Sequence, residues 1–151
     1  MKTLKIGVVV KIDLSKACDR VNWLYLRMLM AHLGFCMDFI RWTMSCLTTM
    51  CFALLINGAA TKKLHAHRGL RQGCPLSPLL FLLVVEGLSR YLKKAKEDGI
   101  FGGVQIARDL SISHLLFVDD ILIFYNGSRR DTDWLVEGIE LFKRATRMLI
   151  N

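Results

Sequence analysis

The chain reads as an α+β fold, an antiparallel sheet with helices packed on one face. Two observations predict it. Short runs rich in β-branched and apolar residues, such as Ile6–Asp13, Cys51–Ile56 and Leu115–Phe124, have strand length and strand composition. Between them lie longer segments with apolar residues at helical spacing, and the order is strand, helix, helix, strand rather than strict alternation. At 151 residues the chain fits one domain, 1–151, able to bury a sizeable core.

The elements follow in order. Ile6–Asp13 predicts a strand, and period-two geometry puts Val9, Lys11 and Asp13 on one face and Val8, Val10 and Ile12 on the other. Asn22 is placed to cap a helix from Trp23 to about Leu33, with Gly34 as its stop. A second helix is expected over Met37–Leu47, with Phe39, Ile40, Met44 and Leu47 as core positions. Cys51–Ile56 and Thr61–Ala66 read as two strands joined at Asn57-Gly58, a turn dipeptide. Gly69–Ser77 is a loop broken by Gly73 and Pro75. Ser77 then caps a helix that carries Pro78 in its first turn and runs to about Lys96. Its first half is apolar nearly all round and is expected to be buried. Asp98-Gly99 ends it. A short strand over Val104–Ala107 and a turn at Asp109–Ser111 lead into Leu115–Phe124. Asp131 or Thr132 is expected to cap a last helix, about Asp133–Leu149, with Leu135, Ile139, Phe142 and Leu149 near one face.

Composition narrows the function classes. Apolar residues make up 53% and mean hydropathy is +0.36, high for a free-standing soluble domain. The longest apolar run, Leu79–Val85, is stopped by Glu86. It falls well short of the ~20 residues a membrane-spanning helix needs. No signal peptide is recognisable, so nucleus or cytoplasm is the expected location, with unpartnered surface accounting for the hydropathy. The net charge of +8 suits a polyanionic partner. The five cysteines (Cys18, Cys36, Cys46, Cys51, Cys74) form no C-x-x-C pair, which argues against a zinc site or a disulfide framework. Lys62, Lys63, His65, His67 and Arg68 make the Cys51–Ala66 ribbon basic. Lys62, Lys63 and Arg68 are its candidate nucleic-acid contacts.

The chemistry concentrates at Leu115–Phe124, where four apolar residues lead into Asp119-Asp120 and four lead out. This predicts a β-hairpin with an acidic tip. Adjacent carboxylates repel unless a cation sits between them, and hard divalent ions such as Mg²⁺ take oxygen ligands of this kind.

Two further segments belong with the hairpin: Lys11-Ile12-Asp13-Leu14-Ser15-Lys16-Ala17-Cys18-Asp19-Arg20-Val21-Asn22-Trp23, and Gly69-Leu70-Arg71-Gln72-Gly73-Cys74-Pro75-Leu76-Ser77-Pro78. Together with Phe117-Val118-Asp119-Asp120, in this order, they resemble three successive motifs of the reverse transcriptase palm. The similarity is greatest to LINE-type (non-LTR) retrotransposon enzymes of plants. It extends over nearly the whole chain.

The resemblance implies a polymerase palm-like antiparallel sheet, with fingers and thumb largely missing from these residues. It implies an RNA-directed DNA polymerase acting on an RNA template, a DNA primer and deoxynucleoside triphosphates. It makes Asp13 and Asp119 the main catalytic metal ligands, with Asp120 beside them. Two Mg²⁺ (or Mn²⁺) ions about 4 Å apart would serve the primer hydroxyl and the triphosphate. Arg71, Gln72 and Gly73 are placed near the incoming nucleotide. Gln72 offers both a donor and an acceptor, and Gly73 permits close backbone approach. Lys16 is a candidate phosphate contact. His114 is read as a packed or hydrogen-bonded residue.

One departure stands out. The family usually carries Phe or Tyr five residues after its first catalytic aspartate, and the ring excludes a ribose 2′-hydroxyl. This chain has Cys18 there. Two alternatives to an active polymerase stay open: a catalytically inactive retroelement remnant with weak nucleic-acid binding, and an intron maturase-like protein.

Overall fold

A computed structural model describes residues 7–107, 110–117 and 120–150. The chain opens with β1 (Val8–Ser15), followed by a single turn of helix, α1 (Ala17–Arg20), which sequence patterning did not foresee. Lys16 enters that turn in the left-handed region, at φ 50°. In α2 (Trp23–His32) the Asn22 side chain accepts the Leu24 N–H at 3.0 Å, as the sequence predicts, and Gly34 follows the helix at φ 84°. Next comes α3 (Met37–Thr48), which turns Ile40, Thr43 and Leu47 inward with Met44 partly buried. Phe39, expected in the core, is instead exposed and stacks on Phe35 at 5.3 Å.

The expected two-stranded ribbon forms as two short ladders. They are β2 (Cys51–Phe52) with β5 (Leu64–His65), and β3 (Leu55–Ile56) with β4 (Ala59–Ala60). Asn57 and Gly58 make the turn with φ 50° and 82°, the pair of positive angles a type I′ hairpin needs. The ladder breaks where the Thr61 hydroxyl accepts the Leu54 N–H at 3.0 Å, replacing a backbone acceptor.

The long helix α4 spans Leu76–Glu97. Ser77 is not its cap: its hydroxyl lies one residue inside and donates to the Arg71 carbonyl at 2.6 Å. Nor is the first half buried all round. Leu80, Phe81, Val84 and Val85 point inward, while Leu79 and Leu82 are more than half exposed because only one side of the helix meets the rest of the fold. Strands β6 (Val104–Ala107) and β7 (Leu110–Ile112) pair antiparallel, so Leu110-Ser111 is strand rather than turn, and Asp109 lies outside the described residues. Then come β8 (His114–Phe117), β9 (Asp120–Tyr125), α5 (Arg129–Thr146) and β10 (Leu149–Ile150). Helix α5 starts earlier than expected because Ser128 is the cap, accepting the Asp131 N–H at 3.1 Å. Asp131 is buried instead, where its carboxylate accepts the Gly102 N–H at 3.1 Å. Leu149, expected in the last helical turn, belongs to a strand, because the backbone turns left-handed at Arg147 with φ 60°.

The main sheet has the order β10-β1-β9-β8, with every pairing antiparallel. Both β9 and β10 pair antiparallel with β1, so they run in the same direction, joined by α5 in a split β-α-β arrangement. One face of the sheet carries Ile12, Leu14, Ile121, Ile123 and Tyr125 into the core, with Leu26, Met30, Val84, Leu88, Leu135 and Phe142 from α2, α4 and α5. The alternation predicted for β1 holds, since Val9, Lys11 and Asp13 are exposed and Ile12 is buried.

His114 joins the edge strand β8 to α4. Its ring nitrogens meet the Ser89 hydroxyl at 2.9 Å and the Ser113 hydroxyl at 3.0 Å, which fits its reading as a hydrogen-bonded residue. Partial burial lowers its pKa, and nearby Lys93 and Lys96 lower it further against an opposing pull from Glu86. An unfolded imidazole takes up its proton near pH ~6.5. The folded one resists until lower pH, so stability present above that range is lost as pH falls through it. The urea midpoint should therefore drop between pH 7 and pH 5.5 in the wild type and stay flatter in His114→Gln. Parallel curves would refute this assignment.

Candidate functional site

The register of β1 against β9 builds the candidate site. Asp13 is the direct cross-strand partner of Asp120, so both side chains leave the same face of the sheet, which no helix covers among the described residues. Asp120 opens β9, and opposite it on β8 is Phe117, 77% exposed. Lys11, two residues before Asp13 on the same face, places its Nζ 3.0 Å from Asp120 Oδ1. Asp119 lies outside the described residues. Two carboxylates on neighbouring strands repel each other, and Lys11 offsets part of that charge. Hard oxygen donors that converge on an open face fit a hard divalent cation. Among the described residues no group of three or more His, Cys, Asp or Glu is assembled.

A second feature gathers the residues expected near a nucleotide. Cys18, Arg71, Gln72, Gly73 and Cys74 line one open depression of about 460 Å³ with Pro75, Ser77 and Pro78. Backbone pairing brings the two distant segments together: Leu70 N–H donates to the Cys18 carbonyl at 2.7 Å, and Gly69 N–H to Val21 at 2.8 Å. The Trp23 indole N–H donates to the Gly69 carbonyl at 2.7 Å. Gln72 is held by its amide, which donates to Asp19 Oδ1 at 3.0 Å. Gly73 sits at φ 78° with open space where a side chain would be. The Cys74 thiol has a lowered pKa, chiefly through a hydrogen bond from the Leu76 backbone N–H, helped by Ser77 and by Arg71.

Residues 2–151 match the reverse transcriptase (RNA-dependent DNA polymerase) family. The chain belongs to the reverse transcriptase family. It is 30% identical over 125 residues to the retrovirus-related Pol polyprotein of the R2 retrotransposable element of Popillia japonica, covering 83% of this chain and 19% of that protein. It is 46% identical over 67 residues to the uncharacterized mitochondrial protein AtMg01250 of Arabidopsis thaliana, covering 44% of this chain and 55% of that one. In structure it resembles an apo telomerase from Candida tropicalis truncated from its C-terminal domain. The TM-score is 0.68 at 16% identity, over 94% of this chain and 29% of that one, a likeness of fold. The chain thus spans only part of the length of its curated relatives. Reverse transcriptases use divalent metal ions, a nucleic-acid template and nucleotide substrates, and the palm-like α+β fold expected from the sequence is the fold observed. No helix among the described residues is long and apolar enough to cross a membrane.

Within this reverse transcriptase fold, Lys62, Lys63 and Arg68 are exposed, the two lysines just before β5 and Arg68 in the segment after it. Among the described residues their ribbon shares no strand pairing with the carboxylate-bearing sheet. Lys16 is also exposed, at the entrance to α1. Sequence reasoning missed Asp19 and Lys11. Asp19 showed no signal beyond its place within the first motif. Lys11 was visible as a charge on the Asp13 face, but its partner needed the strand register.

Gly69, just before the loop that lines the depression, makes a tight backbone approach to the Asp19 segment. It has φ 86°, and a Cβ there would lie 2.5 Å from the Asp19 carbonyl oxygen. Gly69→Ala should cost on the order of 1–3 kcal/mol, from the left-handed backbone and the displaced Asp19 segment. Gly73→Ala meets no neighbour and should cost about 1 kcal/mol or less. Urea denaturation compares the two. Exchange of the Trp23 indole proton should accelerate only in Gly69→Ala, and equal effects in both variants would contradict the contact.

Proposed function

We propose that residues 1–151 form the palm part of a reverse transcriptase domain of LINE type, an RNA-directed DNA polymerase that extends a DNA primer along an RNA template. The observation that carries the proposal is the β1–β9 register, which sets Asp13 opposite Asp120 on a face that no helix covers among the described residues. Asp13 and Asp120, with Asp119 adjacent in sequence, would hold divalent Mg²⁺ or Mn²⁺. When bound, such ions lower the pKa of the primer hydroxyl and stabilise charge on the leaving pyrophosphate. The chain's own residues do the positioning. Arg71 supplies a fixed positive charge beside the depression, suited to a triphosphate. Gln72, anchored on Asp19, keeps an acceptor oxygen and a second N–H for a base or sugar. Gly73 lets a ligand approach the backbone. The exposed charges Lys62, Lys63, Arg68 and Lys16 add a salt-dependent attraction for nucleic acid.

The test is primer extension on a poly(rA)/oligo(dT) template with Mg²⁺ or Mn²⁺, comparing the purified chain with Asp13→Asn and with an Asp119→Asn, Asp120→Asn double variant. Metal-dependent extension should fall at least about a hundredfold in both variants. Soluble, folded wild-type protein without extension would overturn the catalytic reading and favour the inactive remnant. Binding of template-primer would then be the remaining activity.

Cys18 gives this site its own character. It sits at the depression beside Arg71 and Gly73, at the position where the family resemblance leads one to expect an aromatic ring. A thiol fills much less of the space under a sugar than a ring does. Discrimination against ribonucleotides should therefore be weak, and Cys18→Tyr should raise the deoxyribonucleotide to ribonucleotide ratio of kcat/KM by about tenfold or more. An unchanged ratio in that variant would remove Cys18 from the specificity argument.

A further inference from the structure

The Lys11–Asp120 ion pair lies inside the carboxylate site yet has no part in the two-metal chemistry expected from the sequence. Lys11 leaves β1 on the same face as Asp13, and its ammonium contacts Asp120 Oδ1 at 3.0 Å. The contact is diagonal across the ladder: the direct partner of Lys11 is Leu122, and the direct partner of Asp13 is Asp120. Lys11 thus reaches toward the end of the sheet where the carboxylates meet. Neither side chain is buried, with 59% of Lys11 and 37% of Asp120 exposed. An ion pair this exposed contributes little to stability. Its position next to a would-be metal ligand gives it another consequence.

We infer that Lys11 is a tethered counter-ion of the metal site, a positioning residue that orients Asp120 and weakens divalent cation binding. The inference rests on the reading of Asp13 and Asp120 as metal ligands. The ammonium occupies one carboxylate oxygen of Asp120, and a cation that takes that oxygen must displace it. The ammonium also repels any cation held by the pair. A divalent ion feels twice the repulsion of a unit charge at the same distance, and at an exposed site salt screens much of it. In the absence of metal, Lys11 relieves the repulsion between Asp13 and Asp120. When a divalent ion arrives, Lys11 competes with it. Metal loading is thereby set at higher ion concentrations, where a nucleotide triphosphate brings further oxygen ligands of its own.

The experiment is Mn²⁺ titration of the full 151-residue chain without nucleotide, read by the loss of free-ion electron paramagnetic resonance signal. Wild type, Lys11→Met, Lys11→Arg and Asp13→Asn are compared, with circular dichroism confirming that each is folded. Lys11→Met should bind Mn²⁺ about fivefold to tenfold more tightly than wild type, and the gap should narrow as KCl rises. Lys11→Arg keeps the charge and should stay within about twofold of wild type. Asp13→Asn should bind more weakly than either. Equal affinity in wild type and Lys11→Met, both weakened by Asp13→Asn, would overturn the counter-ion role while leaving the metal site standing. Saturable binding in none of the variants would overturn both.

Discussion

The antiparallel register of β1 on β9 is the constraint on which the rest of this structure depends. Six consecutive Cα pairs, from Val8↔Tyr125 to Asp13↔Asp120, lock the two strands. Because side chains alternate, one register assigns Ile12, Ile121 and Ile123 to the core and Asp13, Lys11 and Asp120 to the open face together. A slip of one residue in β9 would put a carboxylate against the buried faces of α4 and α5 and an isoleucine in solvent. The hydrophobic core and the placement of the carboxylates are therefore enforced by the same energy. Burying these branched side chains is worth roughly 1.5–3 kcal/mol each, far more than the exposed ion pair on the other face.

The depression depends on a different device. Residues 18–21 and 69–70 are far apart in sequence and belong to no common sheet, yet backbone hydrogen bonds and the Trp23 indole join them. Asn22 strengthens the same corner: its side-chain amide donates to Ala145 at 3.0 Å and its backbone N–H to Thr146 at 3.1 Å, fixing the C-terminal end of α5. The turn after β1 thereby fastens both the Arg71 loop and the last helix. Asp13 sits five residues before Cys18 on that connection, so the carboxylate face and the depression are held by one short stretch of chain. The stability of this corner and the geometry of the candidate site are coupled.

Much of this was legible in the sequence where local chemistry and tertiary demand agree. The strand over Val8–Asp13 shows its two faces by alternation alone, the Asn22 cap formed, and Asn57-Gly58 made its turn. The differences arise where a distant partner decides. Asp131 has the character of a helix cap, but Gly102 takes its carboxylate and Ser128 does the capping. Leu149 has the right phase for α5, but β1 offers it a strand partner, Ser15. Ser77 gives its hydroxyl to Arg71 and so ties the loop to the helix rather than capping it. At the site, Asp13 and Asp120 could be named from motifs. Their adjacency, and the Lys11 contact, required the pairing of residues more than a hundred positions apart.

The high hydropathy also finds its place. The apolar excess is not gathered into a helix fit to cross a membrane among the described residues; it is spread over the surface. Trp42 is 70% exposed and Leu55 75%, and on the open face of the sheet Val9, Leu115 and Phe117 surround the charged residues. In a two-layer α+β domain, a sheet face of this kind is ordinarily either polar or covered by further elements. Here it is neither. Under the proposed function this face would admit a nucleic-acid duplex, which a covering helix would exclude, and apolar side chains next to carboxylates would suit the sugars and bases of a bound strand better than they suit water. The cost of leaving Phe117 in solvent is then understandable. The same openness leaves Asp13 and Lys11 exposed and Asp120 half-exposed, so the exposure that weakens the fold is also what keeps the candidate site accessible.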